Sequence, residues 1–480
     1  MPTNDPNDIA NRGVYRGRRD AARAKREMLG TVREPARDIP LFATTDVLVV
    51  GGGPSGTTAA IAAARLGAHV ILAERYNHLG GLSTGGLVIW IDRMTDWDGN
   101  LLIRGLGEEL LDRLPKDAIL GPRKQDWGSR DEALAHRWAQ RHSAFHGTVT
   151  YAPMTDPEWL KLASLTMVRE AGVELLLHSW IAAPLIEDGK VAGAILESKQ
   201  GRMAVRARVV VDTTGDGDLF ARSGEDYEGD IDQDDIHHCA NSASLVCGVD
   251  VARWLAFQDA EPEAWRDILK RGREATKHFI QPLTSWRNDV VVFMGPRFSG
   301  FSVLEIDDLT QVEILSRDSI VELLAFYRGN VPGFEGAWLM LTAPQLGARH
   351  SRRLVGMAKM TGAQNKSGVI LADEIGVSPS TSPNIPSVSV PYGALLPRKV
   401  DNMLVAGRHI STDAQTHAFM REIPQCWMTG HAAGVAAALS ANAGTSPRAL
   451  SVQELQATLR KQGAFLRDAA IAIVDPLREK

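Results

Sequence analysis

Cysteine is scarce in this chain, with Cys239, Cys247 and Cys426 the only three among 480 residues. Three thiols cannot pair completely and none forms a C-x-x-C, which excludes a disulfide-stapled scaffold and a dithiol relay. The expectation is a reduced, cytoplasmic protein. No run of about 18 apolar residues occurs, so no membrane span is expected. Charge of neither sign dominates. The net value of −5 gives no basic excess and so no general case for a nucleic-acid partner. Hydrophobic residues at 44% and charged residues at 23% describe an ordinary globular chain with ample core. Near the N-terminus, Arg16-Gly17-Arg18-Arg19 has the look of a twin-arginine signal, but no apolar stretch follows. Asp20 to Glu34 is charged and helix-prone, so residues 1–41 read as a basic arm. A helical arm of this kind suits packing on a neighbouring subunit in a homo-oligomer.

What the chain does have is concentrated early. Thr45-Asp46-Val47-Leu48-Val49-Val50 is a β-branched apolar run that ends in Gly51-x-Gly53-x-x-Gly56. An Ala-rich stretch from Thr57 to Leu66 follows, then a second apolar run from His69 to Leu72. Next comes an acid, Glu74, 18 residues past Gly56. Strand, tight turn, helix, strand and acid are the parts of a dinucleotide-binding fingerprint in the required order. Gly51 permits the turn, Gly53 lets backbone approach a pyrophosphate, and Gly56 lets helix and strand pack closely. Pro54 and Ser55 open a helix whose N-terminal N–H groups suit phosphate. Glu74 has the spacing of a ribose-hydroxyl acceptor.

A second glycine-rich stretch, Leu79-Gly80-Gly81-Leu82-Ser83-Thr84-Gly85-Gly86, comes almost directly after the acid. It suits a long cofactor whose far end lies across backbone N–H groups, which points to FAD rather than NAD. No second G-x-G-x-x-G follows a strand downstream, so a separate NAD(P)H domain is not expected.

Further along, Met154 to Gly172 reads as a helix capped by Thr155 or Asp156, with Pro157 in its first turn. Val173–Leu177, Ile181–Ile186 and Val191–Leu196 read as short strands, the last two split by the hairpin turn Asp188-Gly189. Val205–Val211 is another strand, and it ends in the polar loop Asp212 to Asp218. His142 and His146 have the spacing of a zinc pair on one helix face, but no third ligand is evident and no metal is expected. Residues 226–340 alternate between strands (Ser242–Val249, Val290–Met294, Phe301–Ile306) and helices (Ala252–Lys270, Leu309–Phe326). They read as an inserted substrate domain whose aromatics, Trp254, Trp286, Phe293, Phe298, Phe301 and Trp338, are candidates for core or pocket wall. The cofactor domain is expected over residues 42–225 and 341–445, and a helical tail over 446–480. Arg349 to Arg353 has two open readings, an anion site or pairs with acids.

These segments together resemble the FAD-dependent oxidoreductase family, which shares a fold with fumarate reductase and glutathione reductase. The resemblance runs from about Arg33 to Leu439. It is carried by Arg33 to Pro40, the fingerprint from Asp46, Leu79-Gly80-Gly81 with Thr84, Asp212 to Asp218, Val331 to Glu335, Arg349 to Arg353, and Pro391 through Gly434. It implies an α/β fold with a Rossmann-like, glutathione-reductase-type FAD-binding domain and the inserted α+β substrate domain. It also implies that Gly51, Gly53, Gly56 and Glu74 hold the adenosine and pyrophosphate. Arg75, Gly81, Ser83 and Thr84 would border the pyrophosphate and flavin, and Asp216, Gly407 and Arg408 would approach the ribityl chain. Arg421, Gln425 and Cys426 would sit at the flavin edge. The chain departs from the family's pattern at His350, where Glu is usual, and at Phe419 and Met420, where small residues are usual.

The function expected is transfer of a hydride between a small organic substrate and FAD, by a dehydrogenase or oxidase. A flavin monooxygenase using external NAD(P)H and dioxygen, or a non-catalytic FAD-binding protein, are the alternatives. Candidate bases are His417 and His409, then His237 and His238, because histidine titrates near neutrality. Arg421 and Arg349 are candidates to orient a substrate carboxylate or enolate.

Overall fold

The computed structural model describes residues 14–15, 27–229, 239–276, 278–298 and 300–467. The apolar run before Gly51 is the end of a strand, Leu41–Val50 (β1), whose last four residues are fully buried. Burial on both faces is why this run is continuous rather than alternating. Six further strands complete the sheet: Val70–Ala73 (β2), Glu174–Leu176 (β3), Trp180–Glu187 (β4), Lys190–Ser198 (β5), Gly201–Asp212 (β6) and Met403–Val405 (β7). Their order is β3-β2-β1-β6-β5-β4, with β7 also paired to β6. β3, β2, β1, β6 and β7 run parallel, whereas β4, β5 and β6 form an antiparallel meander. The β4–β5 turn places Asp188 at φ 50° and Gly189 at φ 73°. Positive φ at both positions matches the twist of the flanking strands.

Register decides where the loops meet. Val50 on β1 is opposite Asp212 on β6, and Asp212 is opposite Val405 on β7. Three strands therefore end at one level, and the segments after them, Gly51 to Ser55, Thr213 to Asp218 and Ala406 to Arg408, gather at one edge. In open parallel sheets this carboxyl edge is where ligands bind.

Two helices lie under that edge. Pro54–Ala64 (α1) begins with Pro54 at its first turn, and Ile423–Ala443 (α5) carries Gly430 and Gly434. A Cβ at either glycine would lie 2.1 Å from a carbonyl oxygen of α1, Ser55 O or Ala59 O. The small-residue pattern of α5 thus lets the two helices approach backbone to backbone. Pro157–Glu170 (α2) starts at Asp156, whose carboxylate accepts from the N–H groups of Glu158 and Trp159. The helix Val452–Lys461 buries Leu455 and Leu459 in the same core as α1 and α5.

A second, antiparallel sheet has Ser244–Cys247 between Val290–Phe293 and Trp338–Thr342, with Leu283–Thr284 at one edge. Val246, Trp254, Phe293, Tyr327 and Phe334 form a core of their own beside it. Here the local pattern misleads in places. The expected helix Ala252–Lys270 is two helices, Val251–Ala260 and Pro262–Ala275, because Pro262 cannot continue the first. The expected strand Phe301–Ile306 is a non-strand lead-in to the helix Ile306–Asn330 (α3), where Asp308 accepts from Ser302 N–H at 2.8 Å. Residues 27–40 carry no helix and are mostly exposed. His142 and His146 sit at positive φ in turns, so they do not share a helix face.

Candidate functional site

A cleft opens at the carboxyl edge of the sheet. Gly51, Gly53, Pro54 and Ser55 line it, together with Glu74, Arg75 and Gly81. Thr213, Thr214, Gly215 and Asp218 join them from the β6 loop, Arg408 from the β7 loop, and Arg421, Ile423 and Cys426 from the start of α5.

The three fingerprint glycines have three different surroundings. Gly51 has φ 103°, and a Cβ there would lie 2.5 Å from Thr213 O. A Cβ at Gly56 would lie 1.7 Å from Gly51 O, so helix and turn are in contact there. A Cβ at Gly53 would meet nothing within 4 Å, although Gly53 borders the cleft. Space is left in front of Gly53, and the N-terminus of α1 has neither a side-chain cap nor an acid in its first turn. That combination fits an anionic pyrophosphate.

Glu74 is buried. Its carboxylate accepts from Gly52 N–H and, at 2.8 Å, from Tyr76 N–H. Burial raises its pKa above the ordinary range, with those two N–H groups opposing. Arg75 lies 4.9 Å from the Tyr76 ring and 5.0 Å from the Trp180 ring. Trp180 is 51% exposed and lines the cleft. Gly407 has φ 104°, and a Cβ there would lie 2.6 Å from Ser55 Oγ, which ties the β7 loop to α1.

Several expected site residues border the site without facing it. Ser83 donates to Gly80 O and Thr84 to Leu79 O, so both shape the second glycine loop from behind. Asp216 is engaged by Arg408 and by Ser351 Oγ at 2.7 Å. Burial works to raise its pKa, but Arg408, Arg75 and Ser351 outweigh it and hold Asp216 below the usual carboxylate range. Gln425 donates to Ser378 Oγ at 3.0 Å, while its Oε1 is buried without a partner. Cys426 lines the cleft with its thiol pushed up to about 12 by burial.

The candidate bases are placed elsewhere. His409 is fully buried, stacked 5.7 Å from Phe220, with Nε2 3.4 Å from Asp212 Oδ1. His417, on Ala414–Met420 (α4), is 1% exposed with its ring 5.0 Å from that of His350. Neither is among the residues that line the cleft. His237 and His238 lie outside the described residues. The basic run Arg349 to Arg353 divides. Arg352 donates to Asp216 O, and Arg353 pairs with Glu228 and contacts His350. Arg349 has no hydrogen-bond or ion-pair partner among the described residues. Of the candidate aromatics, Trp254, Phe293, Phe298 and Phe301 are core, and Trp338 is 53% exposed.

Sequence reasoning missed Glu422. It stands between Arg421 and α5, with its carboxylate 3.1 Å from an Arg421 guanidinium nitrogen. Burial raises its pKa and Asp92 adds to this, while Arg421, Arg349 and Arg297 oppose. Burial and Arg349 press the Arg421 guanidinium the other way, below its usual value. An acid one residue before a helix that opens on Pro424 was the available signal. Gln345 and Trp180, which line the cleft, carried none.

The family model described as FAD dependent oxidoreductase matches residues 46–459. Digeranylgeranylglycerophospholipid reductase 2 of Methanopyrus kandleri is 28% identical over 226 residues, 45% of this chain and 48% of that protein. Thiamine thiazole synthase of Methanothermobacter thermautotrophicus is 27% identical over 183 residues, 37% of this chain and 58% of that protein. The chain thus spans about half the length of the curated relatives it matches. A geranylgeranyl bacteriochlorophyll reductase-like structure from Thermoplasma acidophilum aligns with TM-score 0.44 and 16% identity, covering 88% of this chain and 84% of that one.

Proposed function

We propose, from the premise that this chain belongs to the FAD dependent oxidoreductase family, that it moves a hydride between a small organic substrate and FAD. The observation that carries this is the joint lining of one cleft by the fingerprint turn and by Gln345, Arg421 and Cys426, from a distant part of the chain. FAD, when bound, supplies the two-electron chemistry. The chain's own residues do the rest. Gly53 and the α1 N-terminus would receive the pyrophosphate, Glu74 would take the ribose, and the stretch from Gly81 to Gly85 would border the reacting end.

The substrate would approach from the second sheet. Leu87 and Ile89, just past the second glycine loop, share a buried cluster with Leu245 and Val292 of that sheet, and Gln345 N–H donates to Gly85 O at 3.2 Å. This juxtaposition supports reading residues 226–340 as the substrate side. The antiparallel meander attached to the parallel strands supports the glutathione-reductase-type subclass. The word reductase in the names of several relatives favours electrons leaving FAD for the substrate.

The test is a visible spectrum of the purified protein, followed by anaerobic exposure to candidate organic substrates, NADH and NADPH. A bound flavin that is bleached by, or reoxidised by, an organic compound without nicotinamide supports the proposal. Bleaching only by NADPH, accelerated by an aromatic ligand and followed by hydroxylated product in air, would replace hydride transfer with monooxygenation.

A further inference from the structure

We propose that Trp180 is the platform on which the adenine of FAD stacks, and that Arg75 holds the indole in position for it. That assignment rests on the reading of Glu74 as the ribose acceptor, and not on the chemistry at the flavin. An adenine is joined directly to its ribose, so it has to lie within one base length of Glu74. The cleft residues that flank Glu74, in the chain or from the neighbouring segment, are Ala73, Arg75, Ser179, Trp180 and Ile181. Ala73, Ser179 and Ile181 are buried. Trp180 is half-exposed, and of the large exposed apolar side chains it is the one that lines the cleft among the described residues. Its indole offers a flat apolar face that a neutral base can cover.

The ring is fixed relative to Glu74 by backbone bonds and by a cation. Glu74 N–H donates to Leu176 O at 2.8 Å, Ser179 N–H to Glu74 O at 2.9 Å, and His178 N–H to Tyr76 O at 3.3 Å. The segment that carries Trp180 is thus stitched to the segment that carries Glu74 and Arg75. The Arg75 guanidinium lies 5.0 Å from the Trp180 ring and 4.9 Å from the Tyr76 ring. Tyr76 in turn stacks on His78, with ring centroids 5.5 Å apart and 26° between the planes. His78 is buried against Gly85, where a Cβ would lie 2.0 Å from its Nε2. The row Trp180, Arg75, Tyr76, His78 therefore runs from the open cleft to a packed anchor. A cation over one face of an indole holds the ring and leaves the other face free. Arg75 is placed by these contacts beside the base, whereas the resemblance implies a place beside the pyrophosphate.

A slot of this kind exists before the cofactor arrives. ADP carries the adenine, ribose and pyrophosphate without the flavin, so it should bind the FAD-free protein by itself. Stacking on Trp180 would then supply much of the affinity that ADP has beyond inorganic pyrophosphate.

The test uses the full chain freed of flavin, with ADP and inorganic pyrophosphate as probes, read by calorimetry and by tryptophan emission. ADP is expected to bind the wild type and to lower its emission. Trp180→Phe keeps an aromatic face, so it should hold ADP within about three-fold of the wild type and lose the ADP-dependent fall in emission. Trp180→Leu keeps an apolar side chain without a flat face, and should weaken ADP about thirty-fold with pyrophosphate unchanged. Arg75→Gln should weaken ADP about three-fold and leave pyrophosphate unchanged, as a residue acting through the indole would. An emission change that persists in Trp180→Phe, or unchanged ADP affinity in Trp180→Leu, would overturn the stacking. Equal loss of ADP and pyrophosphate in Arg75→Gln would make Arg75 a phosphate ligand and overturn its positioning role. Melting temperatures check each variant, and if Trp180→Leu does not fold, the emission of Trp180→Phe against the wild type decides. Stacking overturned beside normal flavin cycling sinks this assignment alone. Stacking intact beside a bound flavin that no organic compound reduces or reoxidises sinks the hydride-transfer reading alone.

Discussion

Gly56 and Gly51 meet backbone to backbone, so that a Cβ on Gly56 would lie 1.7 Å from the Gly51 carbonyl oxygen. Gly53, between them, has open space in front of it and an extended conformation, φ −67° and ψ −171°, that any residue adopts. One glycine is demanded by packing and the other by what the cleft receives.

The two should therefore separate in mutagenesis. Gly56→Ala is expected to destabilise the protein with or without FAD by on the order of 3 kcal/mol, since α1 must shift. Gly53→Ala should leave the melting temperature of the FAD-free protein unchanged and weaken FAD binding about ten-fold or more. Titration calorimetry beside thermal unfolding measures both. Equal loss of stability in the two variants would refute the distinction.

Glu74 gives a pH signature. Burial raises its folded-state pKa above the unfolded one, so folding takes up a proton. The associated stability is complete below the unfolded value of about 4.3 and is lost as pH rises through the raised folded value. Glu74→Gln cannot titrate. In FAD-free protein, the stability difference between variant and wild type should therefore move in the variant's favour as pH increases across that window. Parallel urea-denaturation profiles at all pH values would contradict it. Bound FAD should be weaker in the variant throughout.

His409 is expected to matter for folding rather than for proton transfer. Asp212 is fully buried, and burial works to raise its pKa; His409, together with Phe220 N–H and Thr214, brings it below the usual range. That lowered carboxylate contributes stability above its unfolded pKa and loses it as pH falls through the folded value. Removing its neighbour in His409→Asn should cost on the order of 3 kcal/mol near neutral pH. The FAD-loaded fraction should keep the wild-type pH profile of flavin reduction. A lost limb in that profile would restore His409 as a base.

Cys426 faces the cleft with a thiol held at about 12. Since the thiolate is the nucleophile, alkylation near pH 8 should leave Cys426 unmodified in the native protein, as read by peptide mass spectrometry, and FAD content unchanged. Labelling of Cys426 before the part-exposed Cys247 would contradict the burial assigned to it.

What the sequence by itself determined are the features set within a few residues of chain. Three glycines at fixed offsets, the apolar run before them, Pro157 behind an Asp cap, and Asp188-Gly189 at positive φ are constraints of backbone conformation and periodicity. They need no distant partner to be read. The small-residue pattern of α5 belongs here too, since only Gly and Ala allow the approach seen at Gly430 and Gly434. The tertiary structure alone decided which side chains reach the cleft. His409 stands two residues past Gly407 yet is fully buried against Asp212 and Phe220. Arg408 and Asp216 are 192 positions apart in the chain and pair only because the loops after β7 and β6 meet at one edge of the sheet. Partnering of that kind depends on how distant segments pack, and no local pattern encodes it.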